Sequence, residues 1–500
     1  MQKGTSQLNR PGPVVREVPE PPAPEHVFGR IGHMPYSVWL DSSVTSSETG
    51  RYSFIACQPF AVLRAFRGKA EWEDATGVRA ASRPVMVELD AALDAWRVEG
   101  SGVPVPFCGG CAGFLGYELA TEFEILPRVD LRDHSLPDLE LAFYDVVVGW
   151  DHQSARCFVV STGRPEAGRS AGRRALDRLD ETLAWLSGED PAGVPGTRSR
   201  LGASSTPAAE SGRPLPGTPW LSSTTTAAEY SSAVSRAIDY IRDGEVYQVN
   251  FSQRFAASSE ANPLEVFRSL RAYSPAPYGA IFRSAAGCIL SSSPERFLRV
   301  DREGGIETHP IKGTRPRGSS ADEDRELARQ LLASEKDRAE NLMIVDLLRN
   351  DLSKICLGGS ISVPALFRLE SWATVHHLVS VVSGTLRPGI TPGEVIRATF
   401  PSGSVTGAPK IRAMELIAEL ESVARGPYCG AIGYFSFDGQ MDLAVAIRIL
   451  VLAEGRATYH AGGGVVYDSL PEDEYRETLT KARALTAAVD ATRRVSGTPR

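Results

Sequence analysis

The chain has 500 residues, of which 42% are hydrophobic and 23% charged, and its formal net charge is -7 at pH 7. A chain of this size and composition can bury a large core, which predicts a globular protein with two domains or two layered halves. The negative charge argues against nucleic acid as the main partner, because binding to phosphate backbones requires a basic face. An anionic substrate would therefore have to meet positive charge that is placed locally.

The first 25 residues are rich in proline and contain no apolar segment of the kind that signal peptides carry. We therefore expect a disordered N-terminus over residues 1–25, followed by an N-terminal αβ region over residues 26–190. No apolar run approaches the roughly 20 residues that a transmembrane helix needs. Seven scattered cysteines are typical of a reducing compartment. These features predict a cytoplasmic protein without a membrane partner.

In the N-terminal region, short β-rich stretches alternate with turns and precede one amphipathic helix. The predicted strands include "YSFIA" and "LAFYDVVVGW", and the predicted helix is "RRALDRLDETLAWL". Residues 191–219 follow, and Pro, Gly, Ser and Thr dominate their composition. Such a segment has too little apolar surface to order itself, so we predict a linker or a disordered excursion there.

Helices and strands alternate more densely over residues 220–495. Helical spacing is found in "AAEYSSAVSRAIDYIRDG", "DRELARQLLASEKDRAENLMIVDLLRNDLSKI" and "APKIRAMELIAELESV", and strand patterns in "VYQVNFSQRF", "AIGYFSF" and "LAVAIRILVL". Asp-Gly and Glu-Gly turns join several strands as hairpins, and a strict alternation of strand and helix is missing. The sequence therefore predicts an α+β fold, mostly antiparallel sheet with outer helices.

Three glutamates stand at the margins of predicted helices. Ser334 is a plausible N-cap, and Glu340 shares a helix face with Ile344 and Leu347 at the edge of the core. Two interpretations fit Glu340: a functional carboxylate, or a side chain that reaches solvent and pairs with an arginine. Further along the chain, Glu474 and Glu477 lie one helical turn apart.

Two carboxylates at this spacing can hold one Mg²⁺, with water and substrate oxygens completing the coordination. Glu477 is equally well placed for an ordinary surface ion pair with Lys481, four residues later. The spacing alone leaves both interpretations open.

Several features favour the binding of anions. The glycines of "AGGGVV" allow backbone N–H groups to turn toward a carboxylate, and "PSGSVTGAPKIRAM" runs from a Gly/Ser/Thr loop into the start of a helix. Arg448 lies in the apolar stretch "LAVAIRILVL", and a buried guanidinium needs a paired anion, supplied by the protein or by a substrate. His376 and His377 are adjacent in a strand, so at most one of them should reach a site.

Eight motifs together resemble the chorismate-utilising enzymes, which include anthranilate, aminodeoxychorismate, isochorismate and salicylate synthases. The resemblance is tight over residues 220–490 and looser before them. In order, the motifs are "SSSPERF", "PIKGTRPRG", "DRAENLMIVDLLRNDL", "VHHLVS", "PSGSVTGAPKIRAME", "GAIGYFSF", "AVAIR" and "HAGGGVVYDSLPEDEYRETLTKA". The resemblance implies an anthranilate-synthase-like fold, with large antiparallel sheets packed as a sandwich and helices outside.

The same resemblance implies chorismate as substrate and Mg²⁺ as cofactor, within a chorismate-binding catalytic region over residues 220–495. Glu340, Glu474 and Glu477 match the Mg²⁺ region of the family. His377 and Glu295 match the pair close to the leaving ring hydroxyl, although Glu295 by itself fits an exposed partner of Arg296. The implied substrate contacts are Gly313, Thr314, Ser404, Tyr434, Arg448, Gly462, Gly463 and Gly464.

Lys312 distinguishes between branches of the family. Anthranilate synthases resemble this stretch but carry alanine there, whereas "PIKGT" resembles aminodeoxychorismate synthase, in which the lysine is thought to attack C2 and to be displaced by ammonia at C4. Burial, Mg²⁺, Arg315 and Arg317 are candidate causes of a lowered pKa of this lysine, and Glu295 would act as general acid. Gln248 replaces the lysine base of isochorismate and salicylate synthases, and an amide cannot take a proton from water.

We therefore expect amination of chorismate at C4 to 4-amino-4-deoxychorismate, for the synthesis of p-aminobenzoate toward folate or a secondary metabolite. The glutaminase partners of this family use a cysteine nucleophile in a GxCxG-type elbow with a following histidine and glutamate, and no such combination appears in this chain, so ammonia from glutamine would come from a separate glutamine amidotransferase subunit. Two alternatives remain. One is anthranilate synthase component I, and the other is a non-catalytic paralogue that binds an amidotransferase.

Overall fold

A computed structural model describes residues 12–44, 49–99, 102–132, 134–188, 212–372 and 375–495. Strands dominate it, and runs rich in Val, Ile, Leu and aromatic residues form their buried parts. The strands are β1 Val14–Glu17, β2 Val38–Asp41, β3 Tyr52–Ala56, β4 Ala61–Phe66, β5 Lys69–Asp74, β6 Gly77–Ala80, β7 Gly110–Leu115, β8 Leu139–Tyr144, β9 Val146–Asp151, β10 Arg156–Ser161, β11 Arg213–Leu215, β12 Thr218–Ser223, β13 Gln248–Ser258, β14 Tyr278–Ser284, β15 Gly287–Ser293, β16 Arg296–Val300, β17 Gly305–Thr308, β18 Ile311–Pro316, β19 Ser362–Ser371, β20 Val375–Thr385, β21 Gly407–Ala408, β22 Ala431–Ser436, β23 Met441–Val445, β24 Ile449–Ala453 and β25 Arg456–Val465.

Several helices begin at residues whose side chains cap them. Thr226 and Thr391 each form a capping box, and the Ser334 hydroxyl accepts a hydrogen bond from the Asp337 N–H, as predicted. The long helical pattern before "LLRNDLSKI" is split at Ser334, whose extended backbone separates two helices. The helices are α1 Pro24–Ile31, α2 Val85–Ala95, α3 Gly168–Ser187, α4 Ala227–Arg242, α5 Pro263–Tyr273, α6 Ala321–Ala333, α7 Glu335–Ser353, α8 Pro392–Thr399, α9 Lys410–Leu420 and α10 Pro471–Val495.

The strands form two large sheets whose described pairs are all antiparallel. One sheet has 13 strands in the order β1-β10-β9-β3-β2-β14-β15-β24-β25-β13-β12-β11, with β21 beside β13. The other has 12 strands in the order β18-β20-β17-β16-β23-β22-β7-β8-β4-β5-β6, with β19 beside β20. Both sheets combine strands from before and after the predicted linker.

The two sheets pack face to face around one apolar core. Phe54 of β3 contacts Tyr434 of β22 with ring centroids 5.5 Å apart, and Phe282 of β14 lies 6.1 Å from Phe114 of β7. A second core joins the outer face of the 13-stranded sheet to α1, α3, α5 and α10. The prediction of an α+β sandwich with helices outside is therefore confirmed.

Parts of the predicted domain organisation differ from the structure. The N-terminus was expected to be disordered up to residue 25, but β1 pairs with β10 and α1 begins at Pro24. In the predicted linker, residues 191–211 lie outside the described residues, whereas Arg213–Leu215 and Thr218–Ser223 form a hairpin that continues the sheet. The seven cysteines are buried and unpaired. Among the described helices, none is long and apolar enough to cross a bilayer.

Candidate active site

Lys312 lies on β18, a strand of the 12-stranded sheet that packs against α7. Its ammonium donates a hydrogen bond to the main-chain oxygen of Ser404, 3.2 Å away. Burial lowers the pKa of Lys312; the carboxylate of Glu340 counters this shift, and the ammonium of Lys481 adds to it. These surroundings shift Lys312 toward the neutral amine, the form that can act as a nucleophile.

The two arginines after Lys312 are engaged elsewhere. Arg315 forms an ion pair with Asp337 at 2.9 Å, and Arg317 forms one with Asp324 at 2.7 Å. Their charges are therefore largely offset by these carboxylates. We expected these arginines to be possible causes of a lowered pKa of Lys312. In the structure, burial and the charge of Lys481 lower it instead.

Glu295 follows β15 and is almost fully buried, with 4% of its surface exposed. Burial raises the pKa of Glu295 to about 7, while a hydrogen bond with the Ser404 side chain and the charge of Lys312 act in the opposite direction. The alternative of an exposed ion pair with Arg296 is wrong, because Arg296 pairs with other carboxylates, those of Asp442 and Glu307. A carboxyl group with this pKa can donate a proton near neutral pH.

His377 on β20 faces the same site, whereas its neighbour does not. The His377 Nδ1 lies 3.0 Å from the Thr314 hydroxyl, and its Nε2 is buried without a hydrogen-bond partner among the described residues. Burial lowers the pKa of His377 to about 3, helped by the charge of Arg448, so the ring is neutral. His376 points the other way, toward Ser371.

Arg448 stands between β23 and β24, where a single strand was expected. Its backbone adopts a φ of 50°, an uncommon conformation for a residue with a side chain, and this interrupts the strand. Its guanidinium donates to the Ser274 hydroxyl at 3.4 Å, and burial lowers its pKa. Within the described residues, no carboxylate lies at ion-pair distance, so its anionic partner is left to a ligand.

Two carboxylates and a lysine from α10 surround Gly463 of β25. Burial raises the pKa of Glu474, and the nearby Glu477 raises it further. The Ser469 hydroxyl donates to Glu474 at 2.7 Å, while Glu477 forms a 2.7 Å ion pair with Lys481. The predicted surface pair of Glu477 therefore exists, but the buried Glu474 beside it does not belong to a solvated face.

Glu340 completes this acidic group from α7. Burial raises the pKa of Glu340, Asp337 and Glu477 raise it further, and Lys312 and Lys336 lower it. Within the described residues, no three metal-binding side chains already stand at coordination distance from one point. Mg²⁺ needs only one or two protein carboxylates. A cation would offset the charge of Glu477 that raises the pKa of both Glu340 and Glu474, so these residues fit such an ion.

The glycines of β25 lie so close to neighbouring groups that no side chain fits at their positions. A Cβ at Gly462 would lie 2.1 Å from the Phe251 carbonyl oxygen, and one at Gly464 would lie 2.3 Å from the Gln248 amide nitrogen. At Gly463 it would meet Glu474 at 3.1 Å. Gly313, beside Lys312, has a φ of 80°, which favours glycine. Larger side chains are thus excluded next to the acidic group.

Tyr434 lies apart from these residues. It stacks on Phe107 with centroids 4.6 Å apart and lines a cavity of about 580 Å³ between the sheets, near Arg296 and Tyr278. Lys312 does not line this cavity. The structure therefore does not support a role for Tyr434 near Arg448, because β22 directs its side chain into the space between the sheets.

Two residues of the site were not predicted as functional. Lys481 donates to the Gly462 main-chain oxygen at 3.0 Å and lies near Gly463, and Asp337 packs against Gly313. Lys481 was noticed only as the surface partner of Glu477. Asp337 precedes Glu340 by three residues, so the helical spacing that places both on one face was the available signal.

Comparison with known proteins agrees with this geometry. The family described as chorismate binding enzyme matches residues 38–487, which is most of the chain. The chain belongs to the chorismate-binding enzyme family. The predicted resemblance to chorismate-utilising enzymes is therefore confirmed.

Relatives within the family carry two kinds of name. Aminodeoxychorismate synthase component 1 of Salmonella typhimurium is 36% identical over 95% of this chain and 97% of its own length. Anthranilate synthase component 1 of Arthrobacter globiformis is 39% identical over 91% of this chain and 85% of its own length.

Solved structures share the fold. Anthranilate synthase component I of Streptococcus pneumoniae superposes with a TM-score of 0.72 at 31% identity, covering 89% of this chain and 94% of that one. The menaquinone-specific isochorismate synthase of Escherichia coli has a TM-score of 0.67 at 17% identity, covering 96% of this chain and 95% of that one. The second likeness concerns the fold alone.

Proposed function

We propose that this chorismate-binding enzyme aminates chorismate at C4 and releases 4-amino-4-deoxychorismate, with Lys312 as a covalent nucleophile. The observation that carries the proposal is the position of Lys312, whose partly buried ammonium contacts Ser404 and lies near the acidic group, and whose pKa is lowered. The name of the Salmonella relative supports the same reaction. The product would serve the synthesis of p-aminobenzoate, for folate or for a secondary metabolite.

In the first step, the neutral Lys312 amine forms a bond to C2 of the ring. The ring double bonds shift, the C4–O bond breaks, and Glu295 gives its proton to the departing hydroxyl, which leaves as water. A pKa of about 7 leaves a substantial part of Glu295 protonated at neutral pH. His377 is neutral, and its unpartnered Nε2 is available to orient the hydroxyl.

In the second step, ammonia forms a bond to C4 from the face that the hydroxyl has left. The double bonds return, the bond between C2 and the lysine nitrogen breaks, and a proton passes from the new ammonium group to the Glu295 carboxylate. Two allylic displacements thus replace one direct substitution, and both Lys312 and Glu295 return to their starting states.

Two anchors would hold the substrate. The guanidinium of Arg448 has no carboxylate partner within the described residues and suits the enolpyruvyl carboxylate of chorismate. Gly462, Gly463 and Gly464 would offer backbone contacts to the ring carboxylate, and Gly313, Thr314 and Ser404 lie around Lys312 and His377. Anchoring at both ends fixes C2 and C4 in relation to the lysine.

The ring carboxylate would also share a Mg²⁺ ion with the protein. Glu340, Glu474 and Glu477 are the residues that would hold it, because Glu340 and Glu474 are carboxyl groups whose pKa is raised by burial and further by the charge of Glu477, which a cation would offset. When bound, the ion supplies Lewis-acid polarisation of the ring carboxylate. The chain's own contribution is to keep Glu474 in place through the Ser469 hydroxyl.

Ammonia would come from glutamine through a separate amidotransferase subunit. This chain covers 65% of the aminodeoxychorismate synthase of Streptomyces pristinaespiralis and 61% of that of Streptomyces griseus, whose names carry no component number. It covers 97% of component 1 of Salmonella typhimurium. The Streptomyces proteins are therefore longer than this chain, whereas the Salmonella component 1 has nearly the same length. This difference supports a separate subunit that would correspond to the part of the Streptomyces proteins that this chain does not match.

Anthranilate synthase is the second candidate, favoured by the 39% identity to the Arthrobacter enzyme. Incubation with chorismate, Mg²⁺ and ammonium distinguishes the two. We expect 4-amino-4-deoxychorismate without release of pyruvate, and anthranilate with pyruvate would select the alternative. A paralogue without catalytic function would form neither product, and Mg²⁺-dependent binding of chorismate would argue against it.

A further inference from the structure

A buried ion pair between Glu421 and Arg425 borders the turn that carries Ser404. Glu421 directly follows α9, and Arg425 lies in the loop between α9 and β22. Two hydrogen bonds of 2.8 and 2.7 Å join the guanidinium to the carboxylate, and only 1% and 5% of the two side chains are exposed. Apolar residues often fill such a place at no cost in stability, because removing two charges from water offsets their attraction. The ion pair therefore needs an explanation beyond the stability of the core.

Arg425 holds the turn from one side. Its Nη1 donates a hydrogen bond to the Val405 main-chain oxygen at 3.1 Å. The Asn250 side chain donates to the same oxygen at 2.9 Å, and the Asn250 N–H donates to the Thr406 oxygen at 2.8 Å. The main-chain oxygens of the two residues after Ser404 are thus fixed in place by buried donors.

The same ion pair is attached to β13. The Arg425 Nη2 donates to the Asn250 main-chain oxygen at 2.7 Å. The Glu421 carboxylate accepts from the N–H and from the hydroxyl of Ser252, both at 2.8 Å. Asn250 and Ser252 stand opposite two of the β25 glycines that are proposed to contact the ring carboxylate. One ion pair therefore ties the turn to the strand that borders these glycines.

Both proposed reacting groups depend on this turn. The Ser404 main-chain oxygen accepts a hydrogen bond from Lys312 at 3.2 Å, and the Ser404 side chain hydrogen-bonds Glu295. The Ser402 and Ser404 hydroxyls lie 3.0 Å apart, so the turn also orients that side chain from within. A displacement of the turn would disturb both contacts at once, and reactions between positioned groups are sensitive to shifts of about 1 Å.

We propose that Glu421 and Arg425 are positioning residues, which hold Ser404 against Lys312 and Glu295. The inference rests on the proposed function, in which those two side chains act at C2 and C4. Among the described hydrogen bonds and ion pairs, none joins Glu421 or Arg425 to Lys312 or Glu295, so the pair acts through the turn. The planar fork of arginine lets one side chain donate to the turn, to β13 and to the carboxylate at the same time.

Arg425→Lys tests the proposal, because it keeps the positive charge and loses the fork. We expect kcat for ammonium-dependent turnover to fall by about tenfold to a hundredfold. The hydrogen bond from Ser404 lowers the pKa of Glu295, so its loss should move the alkaline fall in kcat to higher pH, by about one unit. The other titratable groups that face Glu295 are Lys312 and the Cys429 thiol, and the variant replaces neither.

A double variant shows whether the effect passes through Ser404. Ser404→Ala should move the midpoint of the pH profile by itself, and adding Arg425→Lys should move it no further, because effects that share one group are not additive. Arg178→Lys is the control for a buried guanidinium. Arg178 is 13% exposed on α3 and lies 3.4 Å from the buried Asp145. This variant should lose stability and leave the midpoint unchanged.

An unchanged midpoint in Arg425→Lys would overturn the proposal whether or not kcat falls, because it would match the purely structural control. Additive shifts in the double variant would overturn it as well. If Arg425→Lys does not fold, Glu421→Gln provides the same comparison, since it keeps the size of the side chain and removes the charge.

These outcomes are distinct from a failure of the reaction itself. A wild type that forms no 4-amino-4-deoxychorismate from ammonium loses the proposed function. A wild type that forms it, while Arg425→Lys behaves like the Arg178 control, keeps the proposed function and loses the positioning role of the ion pair.

Discussion

The ammonium of Lys312 lies 3.2 Å from the main-chain oxygen of Ser404. The side chain of the same serine hydrogen-bonds Glu295, so one residue joins the proposed nucleophile to the proposed acid. Ser404 belongs to a short 3-10 turn, Gly403–Val405, that packs against α7. In the proposed mechanism, this arrangement would let Lys312 of β18 and Glu295, which follows β15, act at C2 and C4 of the same conjugated ring system.

Glu295→Gln should remove the proton that the leaving hydroxyl needs. Because burial raises the pKa of Glu295 to about 7, the wild-type rate should fall as pH rises through about 7, where the acid loses its proton. In the variant, that limb of the pH profile should disappear and kcat should fall by about a hundredfold or more. The check is kcat for ammonium-dependent turnover between pH 5.5 and 9, roughly the range over which such groups titrate. An unchanged profile would remove Glu295 from this role.

Arg448→Met should weaken the binding of chorismate. The variant loses charge-assisted hydrogen bonds to a carboxylate, so we expect the dissociation constant to rise by about tenfold to a hundredfold. Equilibrium binding of chorismate in the presence of Mg²⁺ provides the measurement. Arg349→Met is the control, because Arg349 is exposed on α7 and pairs with Asp346 at 2.9 Å. Equal affinity in both variants would contradict the proposed anchor.

Glu474→Gln and Glu340→Gln should raise the Mg²⁺ concentration that gives half-maximal turnover, by about tenfold or more. Each variant removes a carboxylate from the acidic group. Glu472→Gln on the same helix should have no such effect, because that side chain is exposed and lies 3.4 Å from Arg476. A similar Mg²⁺ requirement in all three variants would show that the ion binds elsewhere.

Mg²⁺ binding should also weaken as pH falls. The raised pKa values of Glu340 and Glu474 mean that protons compete for these carboxylates at a higher pH than for exposed ones. Titration of the wild type with Mg²⁺ at a series of pH values that falls from about 8 toward the ordinary glutamate pKa of about 4.3 should show the loss of affinity. The Glu474→Gln variant should show a smaller change, and an equal change would contradict the assignment.

Local features of the fold followed from the sequence. The Asp438-Gly439 and Glu454-Gly455 pairs form the predicted hairpin turns, and the alternation at His376 and His377 sends one ring into the site. These features depend only on neighbouring residues. The pairing of β2 with β14, which places Asp41 opposite Gly279, depends on residues far apart in the chain. The sequence patterns therefore could not predict that each sheet combines strands from before and after the linker.

The site was predicted in part. Lys312, Glu295, His377 and the three metal-region glutamates come together through different strands and helices, and family motifs rather than periodicity identified them. Tyr434 was misplaced because strand patterns do not reveal which face of β22 meets the other sheet. The interruption at Arg448 was missed because apolar residues on both sides continue the strand pattern through it.

The most direct test of the central claim is intact mass analysis of the protein after mixing with chorismate and Mg²⁺ without ammonia. We predict a gain in mass equal to chorismate less one water, located on the peptide that contains Lys312 and absent from Lys312→Ala. Subsequent addition of ammonium should release 4-amino-4-deoxychorismate and restore the original mass. Full conversion to that product by Lys312→Ala, with no adduct on the wild type, would contradict the account.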